Sequence, residues 1–205
     1  MKTVNKIIAF ALTLCLCTLM SACGDVETGS SKSQKNPNRK TEINLKQLES
    51  FIPVLWDTDI AAAGEKMSEE LGINTDNVEV YDSGDDKKPG TPGAVYQSYT
   101  YDLTNTSTEV MGVPCKEIYT FATYVRGHED DVKDVEYISF VFDNSSDKAC
   151  DKLSKKLTKA YGEGTKETIP EFVSWTPSGK KMKVEIQPPV EGKPDLTLVI
   201  YQREN

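Results

Sequence analysis

Apolar positions recur along this chain in three rhythms. From Ile7 to Met20 nearly every residue is apolar or small, behind the positive start of Lys2 and Lys6. A charged start and a continuous apolar run predict a secretory leader, shorter than the ~20 residues of a spanning helix. The second rhythm is helical. In "DTDIAAAGEKMSEELG" the apolar positions Ile60, Ala63, Met67 and Leu71 are spaced 3, 4 and 4, one face of an amphipathic helix. Asp57 is its expected N-cap and Gly72 its expected left-handed closure. The same spacing returns in "DKACDKLSKKLTKAYG", with Cys150, Leu153, Leu157 and Tyr161 lying between Asp147 and Gly162. Each position follows its counterpart by 90 residues.

The third rhythm alternates. Strands are expected at 78–82, 96–103, 116–125 and 135–143 after the first helix, and at 171–175, 181–187 and 195–202 after the second. In "KMKVEIQ", Met182, Val184 and Ile186 should face inward and Lys181, Lys183, Glu185 and Gln187 outward, as in a sheet with one wet face. "TPSGKK" supplies a hairpin turn with Gly179. The expected fold class is therefore α+β. Two helix-plus-antiparallel-strand repeats, about 51–143 and 144–205, place both helices on one face of a sheet.

The leader ends in small residues, Ser21 and Ala22, before Cys23. This order resembles the lipobox of bacterial lipoproteins, with Met20 where Leu is commoner. The resemblance implies cleavage before Cys23 and a diacylglycerol on its sulfur. Residues 1–22 are then a signal peptide, and Cys15 and Cys17 leave with it. Residues 23–44 hold the lipidated cysteine and a polar, Gly/Ser/Asn-rich tether without aromatics. The α+β domain is 45–205. Two or three acyl chains, at about 0.8 kcal/mol per buried methylene, would anchor it durably to the extracytoplasmic face of the cell membrane.

Charge narrows the partners. Without residues 1–22 the chain has 22 basic against 32 acidic residues; from Leu45 onward it has 18 against 29, a net of −11. That argues against nucleic acid, which wants a basic stripe, and against electrostatic docking on anionic lipid. The only histidine, His128, sits among Glu129, Asp130, Asp131 and Asp134. The ordered ligands of a calcium loop are absent, so no metal is expected. No nucleophile-elbow, zinc-protease or P-loop motif occurs, no catalytic residue stands out and no cofactor is implied. Cys115 and Cys150 leave two readings open, a disulfide closing a loop of about 35 residues or two separate buried thiols.

Tyrosines are the remaining signal. Gln97, Tyr99, Tyr101 and Leu103 share one strand face, with Tyr96 on the other; Tyr119 and Phe121 share a face on another strand. If both faces of the sheet carry aromatics, one is either a contact surface for protein or glycan, or a set of half-buried rings with wet hydroxyls. Cys115 has the strand parity of Tyr119 and Phe121, which places all three under the second helix.

"FIPVLWDTDIAAAGEKMSEELG", "EVMGVPCKEIYTF" and "LTKAYGEGTKE…FVSW…KVEI…LTLVIYQ" resemble the strand-to-helix opening, the middle strand and the closing strands of uncharacterised Gram-positive lipoproteins. Their architecture is similar to the tandem-repeat β-lactamase-inhibitor-protein fold and to small outer-membrane lipoproteins of the assembly machinery. The resemblance covers about residues 48–203. It implies a non-catalytic module that binds a protein or another envelope ligand, but no contact residue. An envelope enzyme or enzyme-accessory domain using acidic residues, and a structural envelope component, are the alternatives.

Overall fold

The computed structural model describes residues 40–83, 94–125, 133–142, 147–168, 171–191 and 195–203. They belong to one compact unit of α+β class, three α-helices and a ten-stranded, mostly antiparallel sheet. The leader, Cys23, the tether up to residue 39 and His128 lie outside the described residues.

The chain enters through β1 (Thr41–Ile43) and α1 (Leu45–Trp56). β1 lies within the stretch read as tether, and its Ile43 is fully buried. Where the resemblance implied a strand leading into the first helix, the structure has a helix, α1. Its cause is local. Asn44 accepts from the Gln47 amide while the Gln47 side chain accepts from the Asn44 amide, a reciprocal capping box. Leu48, Phe51, Ile52, Leu55 and Trp56 then form one buried stripe. Pro53 interrupts a helical bond but lies on the exposed side.

Asp57 ends α1 rather than capping the next helix. Asp59 does the capping. It accepts from Ala61 N at 2.8 Å to open a 3₁₀ turn, Ile60–Ala62, that runs into α2 (Ala63–Leu71). Gly72 closes α2 at φ +68°, in the expected left-handed conformation. Ile60, Ala63, Met67 and Leu71 are all buried.

The strands follow as β2 (Val78–Asp82), β3 (Ala94–Asp102), β4 (Thr108–Val110), β5 (Val113–Val125) and β6 (Tyr137–Phe142). Then come α3 (Asp147–Tyr161), β7 (Thr165–Thr168), β8 (Glu171–Trp175), β9 (Met182–Gln187) and β10 (Leu196–Gln202). The sheet order is β1-β4-β5-β6-β10-β9-β8-β7, with β3 also on β5 and β2 outermost on β3. β1–β4 is a parallel pair; the other paired strands run antiparallel. The long β5 carries both β4, at Val113 and Pro114, and β3, along Glu117–Val125.

All three helices share one core with one face of this sheet. Met67, Leu153 and Leu157 pack with Tyr101, Ile118, Phe140, Val184, Ile186 and Leu198. Met182, Val184 and Ile186 point inward as their alternation predicts. Glu185, expected outward and wet, does point to the other face but is buried there.

Candidate functional site

The face of the sheet away from the helices carries the rings. Strand register explains why. Tyr81 pairs with Ser98, Ser98 with Phe121, Phe121 with Tyr137, and Tyr137 with Tyr201. Directly paired residues lie on the same side of a sheet. Tyr96, two residues before Ser98, and Tyr119, two before Phe121, therefore share that side too.

The rings touch in series across five strands. Centroids lie 5.6 Å apart for Tyr81–Tyr96, 5.3 Å for Tyr96–Phe121, 4.8 Å for Phe121–Tyr137 and 5.5 Å for Tyr137–Tyr201. Tyr119 flanks the centre at 6.0 Å from Tyr137. The middle contacts are stacked, with interplanar angles of 25° and 17°. Rings stacked this closely cover one another's faces. Phe121 and Tyr137 thus offer outward mainly edges and, for Tyr137, a hydroxyl.

Two of its hydroxyls are half-buried, and Tyr201 Oη accepts from Gln187 Nε2 at 3.4 Å. Burial pushes the Tyr137 phenol well above its ordinary range, and the neighbouring Tyr119 adds to the shift. Burial pushes Tyr201 up to about 12, with Glu185 beside it contributing. Glu185 pairs with Lys183 at 2.6 Å and accepts from Gln187 Nε2 at 3.2 Å. Lys183 in turn lies over the Phe172 ring at 5.4 Å. The ladder therefore ends beside a buried β9 carboxylate that is held by Lys183 and Gln187 and lies opposite Val199.

The sequence parity argument that put Cys115, Tyr119 and Phe121 under one helix fails at a β-bulge. The β5–β6 register shifts between Cys115 and Glu117. One extra residue reverses side-chain direction. Cys115 stays in the core, whereas Tyr119 and Phe121 turn to the opposite face. Cys115 and Cys150 are both free thiols that pack on the same core. Burial pushes the Cys115 thiol up to about 12 and raises Cys150 as well. Neither is a thiolate at neutral pH, so neither is an activated nucleophile.

A second group of aromatics lies on the helix side, at the ends of β3 and β5. Tyr124 Oη donates to Asp82 Oδ1 at 2.6 Å, and Lys133 stands over the Tyr124 ring at 4.8 Å. Asp59 Oδ2 accepts from Lys133 N at 3.0 Å. These bonds fasten the 3₁₀ turn to the sheet. Asp134, one of the acids considered for a metal, forms a β-bridge with Asp59. Among the described residues no group of three His, Cys, Asp or Glu side chains is arranged to hold a metal ion, and no helix is long and apolar enough to cross a membrane. A small cavity between α1, α3 and the sheet is about 10 Å³, the space of one water; wider clefts of about 410 Å³, at Lys40, Thr106 and Lys116, and about 340 Å³, at Trp56, Lys180 and Met182, lie among the described residues.

In comparisons with known proteins, the chain matches no family model, no curated protein and no solved structure.

Proposed function

We propose that this chain is a lipid-anchored extracytoplasmic lipoprotein whose α+β domain is a non-catalytic, protein-binding module. The aromatic ladder carries the reading. A row of large rings crossing five strands, on the side that no helix of the core uses, is rigid, amphipathic and low in side-chain entropy cost, the properties of a protein contact surface. The lipobox-like Met20-Ser21-Ala22-Cys23 order supports the anchor at the cell membrane.

The domain is also a duplication in this reading, as in the inhibitor-like fold it resembles. Two observations support it. In chain order β2, β3, β5 and β6 run from one edge of the sheet to its centre, and β7, β8, β9 and β10 run from the other edge to the centre, so the two series meet at β6–β10. α2 and α3 precede these series with apolar faces offset by 90 residues, and Gly72 and Gly162 close the helices with φ of +68° and +85°.

The test uses the full chain expressed in a bacterial host. Radioactive palmitate should label the wild type and not Cys23→Ala. A photo-crosslinking residue at Tyr137 should capture a discrete protein, and one at Lys159 on the exposed side of α3 should not. Equal labelling of wild type and Cys23→Ala would refute the anchor. Equal capture from both positions, or from neither, would refute the binding face.

A further inference from the structure

Among the described residues six large apolar side chains are exposed, and four of them lie on β2 or next to it: Val78 at 40%, Val80 at 53%, Tyr81 at 45% and Tyr96 at 37%. Among the described residues β2 is the outermost strand at that end of the sheet and pairs with β3. Its bonding parity is readable. Asp102 N donates to Asn77 O at 3.0 Å and Ser83 N donates to Tyr96 O at 2.9 Å. Residues 77, 79, 81 and 83 therefore bond toward β3, and the N–H and C=O groups of Val78 and Val80 point to the outer edge. An edge with apolar side chains and outward backbone groups is a template for another strand.

We propose that this edge pairs with β2 of a second copy, antiparallel about a two-fold axis at Val80. The strand is self-complementary in that register. Val80 faces Val80 of the second copy in a hydrogen-bonded pair, and Val78 faces the second copy's Asp82. Glu79 faces the second copy's Tyr81. No acid meets an acid. Sliding the strands two residues one way sets Glu79 against its own copy, and like charges directly opposite destabilise. Sliding two residues the other way takes Val78 beyond the end of the partner strand. The central register is the one that pairs all of Val78–Asp82 without opposing charges. It also brings the two aromatic rows up to the axis from both sides, since Tyr81 begins each. A five-residue contact is small, so the pairing gains from any tether that confines copies to one surface. The pairing itself follows from β2 alone and does not depend on what the ladder binds.

The test is cysteine crosslinking in the full chain. Paired residues in a hydrogen-bonded antiparallel site have Cα atoms about 5.5 Å apart, within the ~4.4–6.8 Å that a disulfide spans. Val80→Cys, treated with a mild oxidant, should give a homodimer on a non-reducing gel. Glu79→Cys and Val78→Cys should each give roughly tenfold less, because neither meets its own copy. Glu79→Cys combined with Tyr81→Cys should restore the dimer. The parent chain, run alongside, reports any crosslinking by its native cysteines. Val80 is exposed, so its replacement leaves the core intact. Absence of a Val80→Cys homodimer, equal dimer from all three single positions, or a crosslink to a different protein would overturn the proposal. None of these outcomes alters the capture expected at Tyr137.

Discussion

Met111 shows how much one residue can carry. Val110 pairs with Val113, so Met111 and Gly112 form a two-residue hairpin loop with φ of +49° and +76°. Positive φ at both loop positions matches the twist of the flanking strands, and the usual residues there are Asn-Gly. The Met111 side chain is nonetheless buried, lining one small cavity with Leu48, Ile52 and Leu157. Its backbone is fixed as well: Met111 N donates to Ile43 O at 2.7 Å, Lys156 Nζ donates to Met111 O at 2.8 Å, and Lys152 Nζ donates to Gly112 O. Met111→Ala keeps the strained backbone and loses the side chain, at a cost of about 2–5 kcal/mol. Met111→Gly loses the same side chain but relieves the strain. It should be roughly 0.5–1 kcal/mol more stable than the alanine variant after allowing for glycine's greater unfolded-state freedom. Urea unfolding of the three proteins measures the order; an alanine variant at least as stable as the glycine one would show that the loop is unstrained.

Among elements, α2 and α3 are the ones the hydrophobic spacing identifies best. Met67 and Leu157 are each fully buried in the common core. Met67→Ala and Leu157→Ala should each cost on the order of 2–5 kcal/mol, as buried large-to-small changes do, read as a lowered denaturant midpoint. A near-zero loss at either site would mean that its helix does not hold the sheet. Strands with clean alternation were also legible: β2 and β8 occupy the spans expected for them, and β3, β5, β6, β9 and β10 differ at their ends. Short strands were not. β1, β4 and β7 run for three or four residues each, too few for a period to show. α1 was hidden for another reason. Phe51, Ile52, Val54, Leu55 and Trp56 are favourable strand residues, and Pro53 argues against a helix interior; the Asn44–Gln47 box was the signal that could have revealed it.

Over the whole molecule, Glu49 joins parts that are far apart in sequence. Its carboxylate accepts from Tyr161 Oη at 2.8 Å and pairs with Lys180 Nζ at 2.7 Å, tying α1 to the end of α3 and to the β8–β9 connection. Burial acts to raise the Glu49 pKa, but Lys180 and Tyr161 outweigh it and hold the carboxyl below its ordinary value. A depressed folded-state pKa contributes stability above the unfolded pKa of about 4.3, and that contribution is lost as pH falls through the folded value. Glu49→Gln has no such group. The stability gap between wild type and Glu49→Gln should therefore be largest near neutral pH and close on acidification between about pH 6 and pH 3. A gap independent of pH would mean that Glu49 acts through packing alone.

Local pattern by itself determined the α+β class, the two matched helices with their left-handed glycines, and most long strands. These features depend on spacing and on residues with special backbone freedom, which are written along the chain. Three things depended on tertiary structure. The bulge between Cys115 and Glu117 decided which side Tyr119 and Phe121 face, because one unpaired residue inverts parity and no composition signals where it falls. The pairing of β6 with β10 decided that Tyr201 would complete a ladder begun by Tyr81, more than a hundred positions earlier. The outermost place of β2 decided that Val78 and Val80 stay exposed, since the same alternating sequence in a central strand would have been core.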